Sequence, residues 1–326
     1  MSIPHIRILA TGGTIAGSAG SALQRAYTPG ELAIGTLVEE AKALGLQARL
    51  DGIDIAKIGS QDIGWPQWQA LHDHLAEAMA DEDVDGVIIT HGTDTAEETA
   101  FLLDLTLPAG KPVVIVGAMR PADAVGTDGM RNFANAVRVA GDPEAWNRGV
   151  LVVMGDAVYA PSDVRKATLS SVDAFHGFPR GPLGLVSPSM LDWFGPAHRA
   201  GADARFDWPE GLPRVAILYA CAGMDAASVE AELAAGARGL VLAGVGEGNA
   251  PQPVLDRLAQ AVSEGIPVVR ASRVDEGWVE VDPEDIADGF IASRSYNPQK
   301  SRILLQFLLA NGLTARARAQ AEFDRR

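Results

Sequence analysis

Three stretches of this chain end apolar runs in side chains capable of chemistry. Thr14 stands in ILATGGTIAG (Ile8–Gly17), Thr93 and Asp94 in VIITHGTDTAEE (Val87–Glu98), and Ser60, Gln61 and Asp62 close a third extended segment. A threonine hydroxyl is a weak nucleophile until a neighbouring base or a lowered pKa activates it. The sequence offers Tyr27, in the same long loop as Thr14, and Lys166, in Asp163-Val-Arg-Lys166. A lysine buried beside Asp94 and a threonine can accept or relay the hydroxyl proton, because burial shifts its pKa readily. On the surface it is only a solvated cation. Asp94 and Thr95 open a helix, where either can act as a plain cap. The same helix start can instead hold an ionised Asp94 to grip an ammonium group, and aim N–H groups at a developing oxyanion. Ser60 and Gln61 read as turn residues, or as neutral hydrogen-bonding grips for a carboxylate and an amine.

Other candidates point away from chemistry. His91, before a glycine, suits a role bonding the backbone of its turn. His72 and His74 are two residues apart and face different ways on a helix, which disfavours a shared metal. No His, Cys and carboxylate group has metal-ligand spacing. Gly12 to Gly17 lacks the Lys-Ser/Thr of a phosphate loop, and no G-x-G-x-x-G follows the first strand. The single cysteine, Cys221, forbids an intramolecular disulfide and reads as a small buried residue near a strand end.

These residues need a scaffold that gathers strand ends. Ile6–Ala10, Val87–Thr90, Pro112–Val116 and Gly149–Met154 read as strands. Leu32–Leu44, Pro66–Met79 and Asn132–Ala140 read as helices, and Thr95 to Glu98 has the spacing of a capping box. Ala48–Ile58 reads as extended. This alternation predicts a doubly wound parallel sheet in a larger N-terminal domain, residues 1–193. Residues 155–212 lose the helical period and are rich in Gly and Pro, with a linker over 194–212. A smaller C-terminal α/β domain, 213–326, follows, with strands at Val215–Tyr219, Gly239–Ala243 and Pro267–Ala271. Helices fall at Ala226–Ala235, Val254–Ser263 and Lys300–Asn311. In such sheets ligands bind beyond the carboxyl ends of the strands.

Twenty-seven basic against 42 acidic residues give a net charge of −15, which argues against nucleic-acid binding. No apolar stretch approaches a membrane span, and the N-terminus runs into the first strand without a basic and apolar leader. A soluble cytoplasmic protein is expected, with a mature periplasmic form as the alternative.

Thr11-Gly-Gly-Thr14-Ile-Ala-Gly17 and Thr90-His-Gly-Thr93-Asp94-Thr95 resemble the two signature motifs of bacterial L-asparaginases and glutaminase-asparaginases. The likeness spans nearly the whole chain: Tyr27-Thr-Pro-Gly, Gly59-Ser60-Gln61-Asp62, Gly117-Ala118-Met119-Arg120-Pro121, Asp163–Lys166, Gly244–Asn249 and Asn297-Pro-Gln-Lys300 match in order. Gly-Ser-Gln-Asp is closer to the type II branch. The resemblance implies hydrolysis of L-asparagine to L-aspartate and ammonia without a cofactor, and admits a secondary activity on L-glutamine. It implies Thr14 as nucleophile with Tyr27 beside it, and a second group of Thr93, Lys166 and Asp94. Ser60, Gln61 and Asp94 would hold the substrate's α-carboxylate and α-amino groups, and the Ala118 carbonyl would meet its amide. It further implies a homotetramer, a dimer of intimate dimers, in which a neighbouring copy closes each site with Asn249 and an acidic residue. Here the chain departs from the pattern. The spacing before Gly289 is short, and Glu280, Asp282 or Glu284 fits; counting back from Gly289 selects Asp282. Three rivals remain: an amidotransferase subunit acting on charged tRNA, which the acidic charge disfavours; a non-catalytic amino-acid binder, which would not need Thr14, Thr93 and Lys166 together; and a nicotinamide enzyme, which the missing glycine fingerprint disfavours.

Overall fold

The computed structural model describes residues 3–17, 30, 34–197 and 203–325. The chain divides into two compact units between Arg205 and Phe206, inside the 194–212 stretch.

In the first unit the most apolar segments become the central strands. β1 (His5–Gly12), α1 (Ile34–Ala43), β2 (Arg49–Ile58), α2 (Trp65–Ala80), β3 (Gly86–Thr90), α3 (Ala96–Thr106), β4 (Val113–Val116), α4 (Gly129–Ala140) and β5 (Val150–Met154) follow in order. Strands β3, β4 and β5 are buried at every residue, as expected for parallel strands covered on both faces. Alternate residues Ile6, Ile8, Ile88, Val114, Val116, Leu151 and Val153 pack with Leu37 and Val38 of α1 and Phe133 and Val137 of α4. By strand alternation the intervening residues face the other side, and α2 and α3 pack against the sheet outside that cluster.

Short strands follow: β6 (Ala157–Tyr159), β7 (Val164–Lys166), β8 (Phe175–Gly177), β9 (Gly184–Ser187) and β10 (Met190–Trp193). The sheet order is β10-β9-β6-β5-β4-β3-β1-β2, parallel from β5 to β2 and antiparallel in β6, β9 and β10; β7 and β8 form a separate antiparallel pair. The chain steps from β1 to β2, then returns across β1 to β3. The ends of β1 and β3 therefore lie side by side at the reversal of strand order, where open α/β sheets hold their ligands.

The second unit contains β11 (Val215–Tyr219), α5 (Ala227–Ala234), β12 (Gly239–Gly244), α6 (Gln252–Ser263), β13 (Val268–Ser272), α7 (Pro283–Asp288), β14 (Ile291–Ala292), α8 (Pro298–Ala310) and α9 (Arg316–Asp324). Its four strands are parallel in the order β11-β12-β13-β14. Leu218, Leu240, Leu242, Val254 and Leu258 anchor its core. The Asn297 side chain caps α8 by accepting from the Lys300 N–H at 3.1 Å.

Three local expectations fail. Cys221 is exposed, because it stands past the end of edge strand β11 and not within its buried row. Thr95 occupies the N-cap position of α3 without a side-chain cap bond; its hydroxyl donates to the Ser60 carbonyl at 2.7 Å, so the capping box does not form. Leu44 shares the helical spacing of Leu37 and Ala41 yet is exposed, since α1 has ended before it. Leu37→Ala should therefore cost about 2–5 kcal/mol in urea unfolding, and Leu44→Ala less than about 0.5 kcal/mol. Equal costs would place Leu44 in the core.

Candidate active site

The loops leaving β1 and β3 meet backbone to backbone. A Cβ on Gly13 would stand 2.4 Å from the Gly92 nitrogen, and Gly13 has φ +79°. Glycine is required there on both counts. Thr14 and Thr93, each the next residue along, are drawn to one place. Thr14 opens a single 3₁₀ turn, Thr14–Ala16, and is 5% exposed; Thr93 is 6% exposed. Gly92 in turn backs onto Ser60, whose Cβ and Oγ would lie 2.8 Å from a Cβ there. Ser60 Oγ accepts the Asp94 N–H at 3.2 Å, so the end of β2 locks the start of α3.

Lys166 completes the group. Its Nζ donates to Thr93 Oγ1 at 2.8 Å and to Asp94 Oδ1 at 2.5 Å. The lysine side chain is 16% exposed and the Asp94 side chain 63%. Lys166 is thus no surface cation, and Asp94 is no cap: its carboxylate pairs with the lysine while one side stays open to solvent. The β7 strand that carries Lys166 is pinned at both ends. Buried Asp163 takes Arg180 Nε at 2.7 Å and Nη2 at 2.9 Å, and the Tyr159 hydroxyl donates to the Phe175 carbonyl opposite Lys166 at 2.8 Å. Thr93 accepts from the lysine, so its own hydrogen is directed elsewhere. That arrangement suits a hydroxyl that delivers and recovers a proton.

A neutral layer supports the β3 end from behind. His91 is fully buried, and burial depresses its pKa to about 4. Its Nδ1 faces the Gly92 carbonyl at 2.7 Å and must donate, because a carbonyl only accepts. Nε2 of the neutral ring then accepts from the Thr99 hydroxyl at 2.8 Å, and Thr99 accepts from Trp68 Nε1 at 2.9 Å. Every polar atom of the imidazole is satisfied by structure, which makes it a brace of the turn.

The first unit thus gathers Thr14, Ser60, Thr93, Asp94 and Lys166. Ala118 is buried on the loop after β4, whose Gly117 backs onto the His91 carbonyl and the Thr93 methyl. Gln61 is exposed in the 3₁₀ turn Ser60–Asp62. Tyr27 lies outside the described residues. In the second unit Asn249 is exposed beside an isolated bridge to Val245. Asp282 is the N-cap of α7: Oδ1 accepts from the Asp285 N–H at 3.1 Å and Oδ2 from Arg270 at 3.2 Å. Glu280 pairs with Arg294 at 2.8 Å, and Glu284 is exposed in the first turn of α7. Asp128 and Asn132, to which the sequence reading gave no site role, hold the Ala118 loop; an Asp before a helix looks like an ordinary cap. Among the described residues no group of three or more His, Cys, Asp or Glu is placed to hold a metal ion, and no helix is long and apolar enough to cross a membrane.

Comparison with known proteins gives the same motifs a wider setting. Residues 5–198 match the family model "Asparaginase, N-terminal" and residues 214–323 the "Glutaminase/Asparaginase C-terminal domain". A probable periplasmic L-asparaginase of Haemophilus influenzae is 44% identical over 94% of this chain and 89% of its own. A glutaminase-asparaginase of Pseudomonas fluorescens is 38% identical over 94% of this chain and 86% of its own. The crystal structure of a probable cytoplasmic L-asparaginase from Campylobacter jejuni superposes with a TM-score of 0.93 at 35% identity, covering 99% of this chain and 100% of that one.

The His91 site predicts an acid sensitivity. Its native pKa, about 4, lies below the unfolded value of 6.5, so above pH 6.5 both states are neutral and the contribution is complete. As pH falls from 6.5 to about 4 the unfolded chain binds a proton that the native one refuses, a loss of up to about 3 kcal/mol. Urea unfolding across this range should show that extra slope in the wild type and lose it in His91→Gln. Parallel curves would mean that His91 protonates freely in the fold.

Proposed function

This chain belongs to the asparaginase family, and we propose that it hydrolyses the side-chain amide of L-asparagine to L-aspartate and ammonia with Thr14 as nucleophile. The observation that carries the reading is the bonded group of Lys166, Thr93 and Asp94 beside the Thr14 turn. Amide hydrolysis needs a nucleophile, a proton relay and separate grips for an ionised amino acid. The reaction closes in two halves. Thr14 Oγ bonds to the amide carbon as its proton passes to the Tyr27 oxygen, acting as phenolate; the C–N bond breaks, and the nitrogen takes a proton from Thr93 and leaves as ammonia. Lys166 restores the Thr93 proton and Asp94 holds the lysine in place. Water then attacks the ester carbon and returns one proton to Lys166; the ester C–O bond breaks as Tyr27 hands its proton back to Thr14, and aspartate departs as the carboxylate with the second water proton leaving to solvent.

Asp94, open to solvent on one side, meets the α-ammonium group. Ser60 and Gln61 take the α-carboxylate, and the Ala118 carbonyl accepts from the amide nitrogen. In a homotetramer, Asn249 and Asp282 of a neighbouring copy close the site. Glutamine is a secondary substrate: it differs by one methylene, and such a difference is worth only about 1–3 kcal/mol in discrimination.

Purified protein should release ammonia from L-asparagine at neutral to mildly alkaline pH, with glutamine slower by about 10–200-fold in kcat/KM. Protein that binds asparagine without turnover would support the binding-protein reading. Thr14→Ala and Thr93→Ala should each lower kcat by about a thousandfold, as losses within one catalytic unit do. Near-normal turnover in either would remove that hydroxyl from the mechanism. Asp94→Asn should raise KM for asparagine as well as lower kcat; unchanged constants would leave Asp94 a mere partner of Lys166.

A further inference from the structure

Asp128 spends a buried carboxylate on one loop. It stands at the N-cap of α4 yet its side chain makes no cap bond to a backbone N–H of the helix, and it is only 8% exposed. Both oxygens turn back to the loop after β4. Oδ1 accepts from Met119 N–H at 3.1 Å and Arg120 N–H at 3.0 Å, and Oδ2 from Met119 N–H at 3.0 Å. Asn132, one turn along α4, donates to Oδ2 at 2.9 Å and to the Gly117 carbonyl at 3.0 Å. Burying a charge is costly, and ordinary capping would need only a neutral side chain.

The geometry points to a positioning role: we infer that Asp128 aims and polarises the Ala118 carbonyl toward the leaving nitrogen of the substrate. The Met119 N–H and the Ala118 C=O belong to one trans peptide, so they point in opposite directions. Fixing the N–H on Asp128 turns the oxygen away from α4. Gly117, the residue before, packs against Thr93, and the Ala122 N–H bonds the Gly17 carbonyl at 3.1 Å, so the loop runs from the proton relay to the Thr14 turn. An anion accepting at the nitrogen end of a peptide shifts negative charge onto its oxygen. That oxygen then binds an N–H donor most strongly when the nitrogen gains positive charge, which happens as the C–N bond breaks and the nitrogen takes its proton. The interaction strengthens in the transition state and so contributes to turnover. The inference rests on the reading of Ala118 as the carbonyl that meets the amide.

The β-methyl ester of L-aspartate has the same acyl group but a leaving group without N–H. In Asp128→Asn, kcat for asparagine should fall about tenfold or more, the loss of one charge-assisted hydrogen bond, with the methyl ester falling less than about threefold. Asn132→Ala keeps the Met119 and Arg120 bonds and should shift the amide-to-ester ratio the same way by a smaller factor. If Asp128→Asn does not fold, Asn132→Ala decides alone. Equal losses for amide and ester, or none for either, would make Asp128 a structural clamp without a part in leaving-group departure. Wild-type protein that leaves asparagine intact would instead overturn the proposed hydrolase activity.

Discussion

The contact between Gly13 and Gly92 is the constraint on which the site depends. Strand order alone makes β1 and β3 neighbours and sends their loops apart, which opens a crevice. It does not bring two hydroxyls together. That requires the two loops to touch before they diverge, and a side chain on Gly13 would drive its Cβ into the Gly92 backbone. The loop from β2 repeats the device, since Ser60 packs directly on Gly92. Three segments far apart in sequence converge because nothing stands between their backbones. The cost is glycine's conformational entropy, which the surrounding parallel sheet has to offset.

Burial is graded across the polar group. A lysine–carboxylate pair in open water contributes little to stability. Here Nζ and the Thr93 hydroxyl lie inside the protein while Asp94 stays open on one face. The pair is better understood as a means of holding Nζ against Thr93 than as a source of fold stability. Its supports are arranged to match. Asp163 with Arg180 and Tyr159 with Phe175 fix the hairpin that delivers the lysine. The uncharged chain Trp68–Thr99–His91 holds the Gly92 carbonyl from the opposite side. Burial keeps that imidazole neutral, so the turn is braced without a second buried charge.

Much of this was legible in the residues because the governing signals are local. Runs such as GVIIT and VVIV can only be central strands, and hydroxyls and carboxylates clustered after them mark the sheet's carboxyl edge. What escaped depends on contacts across long stretches of chain. The residues alone left Lys166 open between surface cation and relay, and only the family resemblance grouped it with Thr93, because it comes from 73 residues away through strands of three residues that carry no readable period. The Thr95 hydroxyl could accept from a helix N–H as a cap or donate to a distant carbonyl, and only the approach of Ser60 decides it. Asp128 looks like a cap in one dimension and becomes a loop clamp in three. Helix α9 is nearly without an apolar stripe, and only its contact with β14 and α8 shows why it forms.

Asp282 shows how local structure fixes the position of an acidic side chain. An aspartate suits its cap because its short side chain returns to the N–H of the residue three further on. One oxygen is committed to that N–H and the other to Arg270, which also grips buried Asp285 at 2.5 Å. The Asp285 N–H, and after it the Arg270 charge, hold the Asp282 carboxyl below the usual carboxylate range. The group is therefore anionic throughout the neutral range, and half its surface still faces outward. A longer acid would have more reach but would not close the same cap. The length of this side chain is thus tied to the start of α7, and any ammonium it meets must come to a carboxylate already fixed in position and charge.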